Sequence, residues 1–363
     1  MAASRVTLAV AMVALLVVSA QAGCKRQIND KLRTELNARN PAPAPQLPLE
    51  SLPRNFDWNN VDGKGRSLLA PSWNQHIPQY CGSCWLHGTA SMIQDRLKIV
   101  KKGLGPDVML ARQVILNCAA FHGLGDGCHG GDPVDVMQYM KDFGLPDESC
   151  QPYKAMDHRE YGKDAKTCPG DGYCMNCMPL NGGHECWEVP SPIRYFVEDI
   201  GPVSEKGELP MMNEIKSRGP LVCSMATPTV FDYGYHAGVA RDPTNATEVD
   251  HDVEVVGWGE EENGLKYWLV RNSWGTYWGQ LGFFKLERGV NALQIEAGDC
   301  WYATVSWKDE QDVRRGKKVG TMWGIMDHKQ AAKVLPEPGV TPRFKKEHRR
   351  HRGPDDDAAI AEF

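Results

Sequence analysis

The chain has 363 residues, and its 41 Lys and Arg against 46 Asp and Glu give a formal net charge of −5. This mild acidity argues against nucleic acid as the main partner, and the length suits one sizeable folded unit plus processing segments. Twelve cysteines and eleven tryptophans are unusual for a cytosolic enzyme and favour an oxidising compartment, in which disulfides persist.

The first 22 residues explain how the chain would enter an oxidising compartment. Arg5 is followed by the apolar run LAVAMVALLVV, and Ala20-Gln21-Ala22 offers a small-residue cleavage site. We therefore predict a signal peptide at residues 1–22, too short for a membrane anchor, and no other segment that could span a bilayer. The expected location is the secretory pathway, ending in the lysosome or outside the cell.

Residues 23–51 are polar and then rich in proline, with little apolar periodicity. This composition predicts a short, mostly extended pro-segment. The main folded unit is expected from Leu52 to about Trp307.

The stretch from Asn74 to Val100 changes from loop to helix at Cys84. A cysteine at that junction feels the positive end of the helix dipole, which stabilises the reactive thiolate. Cys84 is therefore a candidate nucleophile. Taken alone, Cys81 and Cys84 could instead form a redox C-x-x-C pair or half of a zinc site.

Two further helices are predicted in the first half of the chain, over residues 107–117 and after Asp132, which is a candidate N-cap followed by Pro133. Residues 150–187 contain five cysteines and are predicted to be loop. A brief helical pattern returns at residues 211–217.

Short aliphatic and aromatic runs dominate after Pro220 and predict strands: LVCSMA, HDVEVVGWG, LKYWLVRNSW and GFFKLER. Helices first and strands later predict two unlike lobes with a cleft between them, with Cys84 on one wall and His251 on the other. Residues 308–363 are highly charged and are predicted to form a mobile extension. Its basic cluster at residues 343–352 could bind a polyanion or be trimmed away.

Several strings carry a family resemblance, above all CGSCW at Cys84, HDVEVVGWG at His251 and RNSWG at Asn272. On these motifs the chain resembles the papain family of cysteine proteases over residues 52–307. The resemblance implies an α+β, papain-like two-lobe fold. Its left lobe would be helical and its right lobe β-barrel-like, with the active site in the cleft between them.

The resemblance also implies a role for each catalytic residue. Cys84 would be the nucleophile, His251 the base, and Asn272 the acceptor that fixes the tautomer of the imidazole. Gln75 would stabilise the oxyanion together with the backbone N–H of Cys84. Trp274 would shield the bond between His251 and Asn272 from water.

Three glycines, Gly82, Gly130 and Gly131, are expected at the substrate-binding surface on the same grounds. Gly130 and Gly131 match the strand that pairs with the substrate backbone, where the absence of a side chain permits close approach. Read alone, a Gly-Gly pair is more often a simple turn.

The spacing between Gln75 and Cys84 departs from the common pattern, because three extra residues, His76-Ile77-Pro78, lengthen the loop. This insertion resembles the cathepsin X group of the family, also called cathepsin Z, which removes single residues from a free C-terminus. His76 would bind the substrate's terminal carboxylate through a charge-assisted hydrogen bond. Asp252 is a second departure, and it would raise the pKa of His251 if its side chain pointed inward.

The resemblance implies five disulfides, which use ten of the twelve cysteines. They are Cys81–Cys128, Cys118–Cys168, Cys150–Cys174, Cys177–Cys186 and Cys223–Cys300. Cys84 and Cys24 remain, and the resemblance implies a disulfide between them that latches a zymogen. Asn245 begins the one glycosylation sequon.

The sequence implies neither metal nor cofactor, and it predicts a monomer that acts on peptide or protein substrates. Two alternatives to a carboxypeptidase stay open at this stage. One is a general cysteine endopeptidase, and the other is a catalytically silent homologue that acts as a binding protein.

Overall fold

The computed structural model describes residues 26–39, 41, 44–161, 165–180, 183–203 and 205–334. The predicted signal peptide, Cys24 and residues 335–363 lie outside this part of the chain. In the described part, no helix is long and apolar enough to cross a bilayer.

Helices and strands both contribute to the described residues, so the fold is α+β. The helices are α1 (Asp30–Ala38), α2 (Cys84–Val100), α3 (Arg112–Cys118), α4 (Pro133–Asp142), α5 (Glu208–Arg218), α6 (Thr229–Gly234), α7 (Lys308–Arg314) and α8 (His328–Val334). The strands are β1 (Phe56–Asp57), β2 (Met175–Leu180), β3 (Gly183–Glu188), β4 (Phe196–Val203), β5 (Leu221–Met225), β6 (Val239–Ala240), β7 (His251–Glu260), β8 (Lys266–Arg271), β9 (Phe283–Glu287), β10 (Cys300–Ser306), β11 (Lys318–Thr321) and β12 (Gly324–Asp327).

The first lobe is organised around α2, whose residues from Cys84 to Leu97 are all buried. Helix α4 begins where the sequence predicts, because the Asp132 side chain accepts a hydrogen bond from Val134 N at 3.3 Å and Pro133 occupies the first turn. Helix α3 begins at Arg112, later than the predicted residue 107. A hydrophobic core of this lobe joins all three helices.

The second lobe is built on an eight-stranded sheet in the order β4-β10-β5-β7-β8-β9-β6, with β1 paired to β7. Neighbouring strands are antiparallel except for β6 and β9. Trp258, Trp268 and Phe284 are fully buried in its core. Over the described residues this path does not close on itself, so the lobe is barrel-like only in a loose sense.

The predicted pro-segment contains a helix, α1, where the sequence analysis predicted mostly extended chain. The Asn29 side chain accepts a hydrogen bond from Leu32 N at 3.1 Å and so caps the helix. Leu32 and Leu36, four residues apart on one face, are buried against the first lobe. Two apolar residues in a polar stretch are a weak signal, and the surface that covers them lies far away in the sequence.

The stretch predicted as loop at residues 150–187 contains the β2–β3 hairpin, in which Cys177 and Cys186 face each other and form a disulfide. The disulfide fixes the register of two strands whose sequence has little apolar alternation.

Residues 308–334 are folded, whereas the sequence analysis placed them in a mobile extension. Glu310 on α7 is buried, pairs with Lys101 Nζ at 2.9 Å and accepts a hydrogen bond from the Tyr195 hydroxyl at 3.0 Å. The β11–β12 hairpin meets the body of the protein through Ile325 N, which donates to Ser191 O at 2.6 Å. Glu310 is thus paired with a lysine more than two hundred residues away, whereas Arg314, Lys317 and Lys318 pair within the segment, so composition alone does not predict a solvated tail.

Candidate active site

Cys84 is the first residue of α2, and its side chain is fully buried. Ser83, the N-cap residue, makes no side-chain capping hydrogen bond to a backbone N–H of the helix. Its hydroxyl lies 3.0 Å from the Tyr153 hydroxyl and 3.2 Å from His87 Nδ1. The positive end of the helix dipole therefore acts at the Cys84 sulfur, which is disulfide-bonded in this structure.

His251 begins β7, and its Nε2 lies 2.8 Å from Asn272 Oδ1. The Trp274 ring stacks on the imidazole with a centroid separation of 4.9 Å. His251 is only 2% exposed, and burial lowers its pKa to about 4 although the hydrogen bond that its ring donates to Asn272 Oδ1 opposes the shift. Asn272 and Trp274 therefore both contact His251. The hydrogen bond at Nε2 and the stacked indole ring fix the orientation of the imidazole.

Gln75 is buried, and both the oxygen and the nitrogen of its side-chain amide form hydrogen bonds. Its Oε1 accepts a hydrogen bond from Ser273 Oγ at 2.6 Å, and its Nε2 donates to Cys81 O at 3.0 Å. The backbone also participates, because Gln75 N donates to Ser273 O at 2.8 Å. A primary amide has two N–H groups, so the bond to Cys81 leaves a second donor on Nε2.

His76 lies in the inserted loop and is stacked on Tyr80, with ring centroids 4.9 Å apart and an angle of 8° between the planes. Its backbone N–H donates to Asn74 Oδ1 at 2.9 Å, while its buried Nδ1 has no hydrogen-bond partner among the described residues. Burial and, to a lesser degree, the charge of His251 lower the pKa of His76 to about 4. His251 thus has an electrostatic influence on His76.

The three glycines predicted at the substrate surface are sterically constrained. A Cβ on Gly82 would lie 2.7 Å from Cys128 O, and a Cβ on Gly131 would lie 2.6 Å from the Trp85 ring. Gly130 has a φ of 119°, which disfavours other residues. In addition, Gly131 O accepts a hydrogen bond from Gln27 N at 3.3 Å, so this main chain already pairs with another segment.

The Asp252 side chain is directed at the nucleophile. Its Oδ2 lies 4.0 Å from Cys84 Sγ, and its Oδ1 accepts a hydrogen bond from Ser224 Oγ at 2.7 Å. Burial raises the pKa of Asp252 to about 7, whereas the charge of Arg26 opposes the shift. Contrary to the expectation for an inward-pointing carboxylate, the pKa of His251 is lowered, because desolvation of the imidazole dominates.

Besides Cys84, the described cysteines pair with one another in five disulfides, which are the same five pairs that the resemblance implies: Cys81–Cys128, Cys118–Cys168, Cys150–Cys174, Cys177–Cys186 and Cys223–Cys300. Cys24 lies outside the described residues. Asn245 is exposed, as a glycan acceptor must be.

Two residues that form hydrogen bonds to Gln75 were not predicted from the sequence. Ser273 positions Gln75, and its place between Asn272 and Trp274 was an available signal. Tyr153 donates from its hydroxyl to Gln75 O at 2.7 Å and reaches the site from the loop-like stretch, where no local pattern marks it.

A comparison with protein families matches residues 52–304 to the model described as "Papain family cysteine protease". Among curated proteins, cathepsin Z of Onchocerca volvulus is 37% identical over 238 residues, covering 65% of this chain and 71% of that protein. Cathepsin B-like cysteine proteinase 3 of Caenorhabditis elegans is 30% identical over 222 residues, covering 60% of this chain. The match spans 57% of that relative's length.

The fold comparison agrees with the family match. The structure of the bromelain protease from Ananas comosus, in complex with the E64 inhibitor, aligns with a TM-score of 0.52 and 26% identity. The alignment covers 70% of this chain and 99% of that one. The fold expected from the motifs, α+β and papain-like, is confirmed.

Proposed function

Since the chain belongs to the papain family of cysteine proteases, we propose that it hydrolyses peptide bonds with Cys84 as the nucleophile and His251 as the general base. The observation that carries the proposal is the buried His251–Asn272 hydrogen bond of 2.8 Å beneath Trp274. A silent binding protein would have no need to fix one imidazole tautomer in this way.

In the proposed reaction, His251 takes the proton of the reduced Cys84 thiol, and the thiolate attacks the peptide carbonyl carbon. The second N–H of Gln75 Nε2 and the backbone N–H of Cys84 stabilise the oxyanion. His251 then protonates the leaving amine, and water hydrolyses the thioester. Once the sulfur is anionic, its charge raises the pKa of His251 above the low value of the disulfide-bonded form.

We further propose that the enzyme is a carboxypeptidase and that His76 binds the free carboxylate of the substrate. Two observations support this role: the described residues offer no hydrogen-bond partner to the buried Nδ1 of His76, and the charge of His251 contributes to the lowered pKa of His76. The likeness to cathepsin Z supports it as well. The pKa of about 4 leaves His76 neutral without substrate, and a bound carboxylate would favour the protonated ring.

Cys24 is proposed to latch Cys84 until the pro-segment is reduced and cleaved near Leu52. Supporting facts are that Cys84 is disulfide-bonded and that ten other cysteines pair among themselves. Together with the predicted signal peptide, this favours maturation in the secretory pathway, in the lysosome or outside the cell. In the test, Cys24→Ser precursor should react with a thiol reagent at Cys84 without prior reduction, and an unreactive Cys84 would argue against the latch.

The specificity is tested by incubating the activated protein with a peptide and with its C-terminally amidated twin, followed by mass spectrometry. Loss of a single residue from the free acid alone supports the proposal. Internal cleavage of both peptides indicates an endopeptidase, and the absence of thiol-dependent cleavage indicates a silent homologue. His76→Ala should reduce the preference for the free acid by roughly 10-fold or more, as expected for a lost charge-assisted bond.

A further inference from the structure

Two arginines of the predicted pro-segment, Arg26 and Arg33, occupy an acidic pocket that is connected to the nucleophile through two other residues. Its walls are Asp132 at the start of α4, and Asp299 and Trp301 at the start of β10. We call this group of three residues the acidic pocket.

Arg33 makes the more complete set of contacts. Its Nε and Nη2 donate to the two carboxylate oxygens of Asp132 at 2.6 and 2.8 Å, and its Nη1 donates to Asp299 Oδ1 at 2.9 Å. The guanidinium lies over the Trp301 ring, 5.2 Å from its centroid. Such a fork-to-fork pairing on an aromatic surface is how proteins select a guanidinium. Arg26 forms a second ion pair with Asp299.

The acidic pocket is connected to the catalytic cysteine through two intervening residues, Ser224 and Asp252. Ser224 N donates to Asp299 O at 3.1 Å, and Ser224 Oγ donates to Asp252 Oδ1 at 2.7 Å. Asp252 Oδ2 in turn lies 4.0 Å from Cys84 Sγ. A side chain in the acidic pocket is therefore only a few contacts away from the sulfur.

The backbone of the same segment runs along the surface expected for substrate. Gln27, next to Arg26, donates its N–H to Gly131 O at 3.3 Å, which is the kind of main-chain bond that a bound peptide makes. Asn29 N donates to Asp132 Oδ2 at 2.9 Å. The segment thus pairs through its main chain and places a guanidinium in the acidic pocket, as an arginine-containing peptide would.

Removal of this segment would leave the acidic pocket without cations. Among the described residues, every ion pair of Asp132 and Asp299 is made with Arg26 or Arg33. The Asp132 side chain is fully buried beneath them, and that of Asp299 is 23% exposed. Carboxylates left in a partly desolvated cleft attract a cation strongly.

We propose that in the activated enzyme the acidic pocket is a specificity site that selects an arginine side chain near the scissile bond of the substrate. Asp132 and Asp299 pair with the guanidinium, and Trp301 stacks against it. The inference rests on the proposed peptidase function and adds to it a class of preferred substrate. Arginine is favoured over lysine, because an ammonium cannot make the two parallel bonds to Asp132.

The test uses reduced, processed enzyme and peptides that have one backbone and a free C-terminal carboxylate. A single arginine is placed at the first, second or third residue before the scissile bond, and each peptide is paired with a version that carries citrulline there. Citrulline has nearly the shape of arginine but no charge. The ratio of kcat/KM for arginine over citrulline isolates recognition of the charge.

We expect this ratio to exceed about 10 at one of the three positions in the wild type, as for a buried charge pair. In Asp299→Asn it should fall toward 1, whereas Asp107→Asn, which removes an acidic partner of Lys98 outside the acidic pocket, should keep the wild-type ratio. Asp132→Asn is a second variant that retains an N-cap residue. Ratios near 1 at all positions with efficient cleavage would overturn the inference alone, and failure to cleave any peptide would overturn the proposed function with it.

Discussion

Arg271 joins the two lobes through a buried cluster of charges, and its loss should destabilise the protein strongly. Its Nη1 lies 3.1 Å from both Asp95 on α2 and Glu254 on β7, and its Nη2 donates to Ala70 O at 2.8 Å. All three charged side chains are at most 2% exposed. Arg271→Met would keep much of the side-chain volume while leaving two carboxyl groups buried without their cation.

Breaking a buried ion pair by removing one partner costs about 3–5 kcal/mol, far more than the pair contributes relative to an apolar replacement. The cost should depend on pH. Burial raises the pKa of Asp95, and burial followed by the charge of Asp95 raises that of Glu254, so these groups take up protons on folding. Their contribution to stability is present below their unfolded pKa values and is lost as pH rises. In Arg271→Met, the free energy of unfolding should therefore fall more with rising pH than it does in the wild type.

The assay is urea unfolding of the disulfide-intact precursor at pH 5 and pH 7. Arg241→Met is the matched control, because Arg241 is exposed and pairs with Glu287 at 3.5 Å, so its loss should cost at most about 1 kcal/mol. An unfolding free energy for Arg271→Met within about 1 kcal/mol of the control at both pH values would refute this reasoning.

Two further predictions concern the cleft. Gln75→Ala should lower kcat by roughly 10²–10³-fold in a steady-state peptide assay, because it removes an oxyanion donor; a loss below about 3-fold would remove Gln75 from the mechanism. Asp252→Asn should be about as stable as the wild type near pH 4 and more stable by up to about 4 kcal/mol near pH 8. The reason is that the raised pKa, about 7 against 3.8, gives stability that is lost as pH rises through this window. Parallel stability curves between pH 4 and 8 would contradict this reading.

The sequence predicted those features that depend on local chemistry. The start of α4 follows from Asp132 and Pro133, and the strand that begins at His251 follows from an apolar run that ends in Gly-Trp-Gly. The disulfide pairs came from the family resemblance, since spacing alone cannot fix connectivity.

Features that depend on distant partners were not predicted. Helix α1 gains its stability from the lobe that covers Leu36, and the folded stretch after residue 308 depends on the pairing of Glu310 with Lys101. Likewise, the role of Tyr153 beside Gln75 requires two segments separated by 78 residues to meet. Tertiary contacts of this kind decide the outcome where local propensity is weak.

The central claim, that Cys84 is a thiolate activated by His251, is tested most directly by the pH dependence of its alkylation. The reduced, processed protein is treated with iodoacetamide, and the rate of modification of Cys84 is followed by peptide mass mapping. The wild type should react rapidly at pH 5.5, whereas His251→Ala should react at least about 100-fold more slowly, with the pH profile of an ordinary thiol. Equal rates for the two proteins at pH 5.5 would contradict the account.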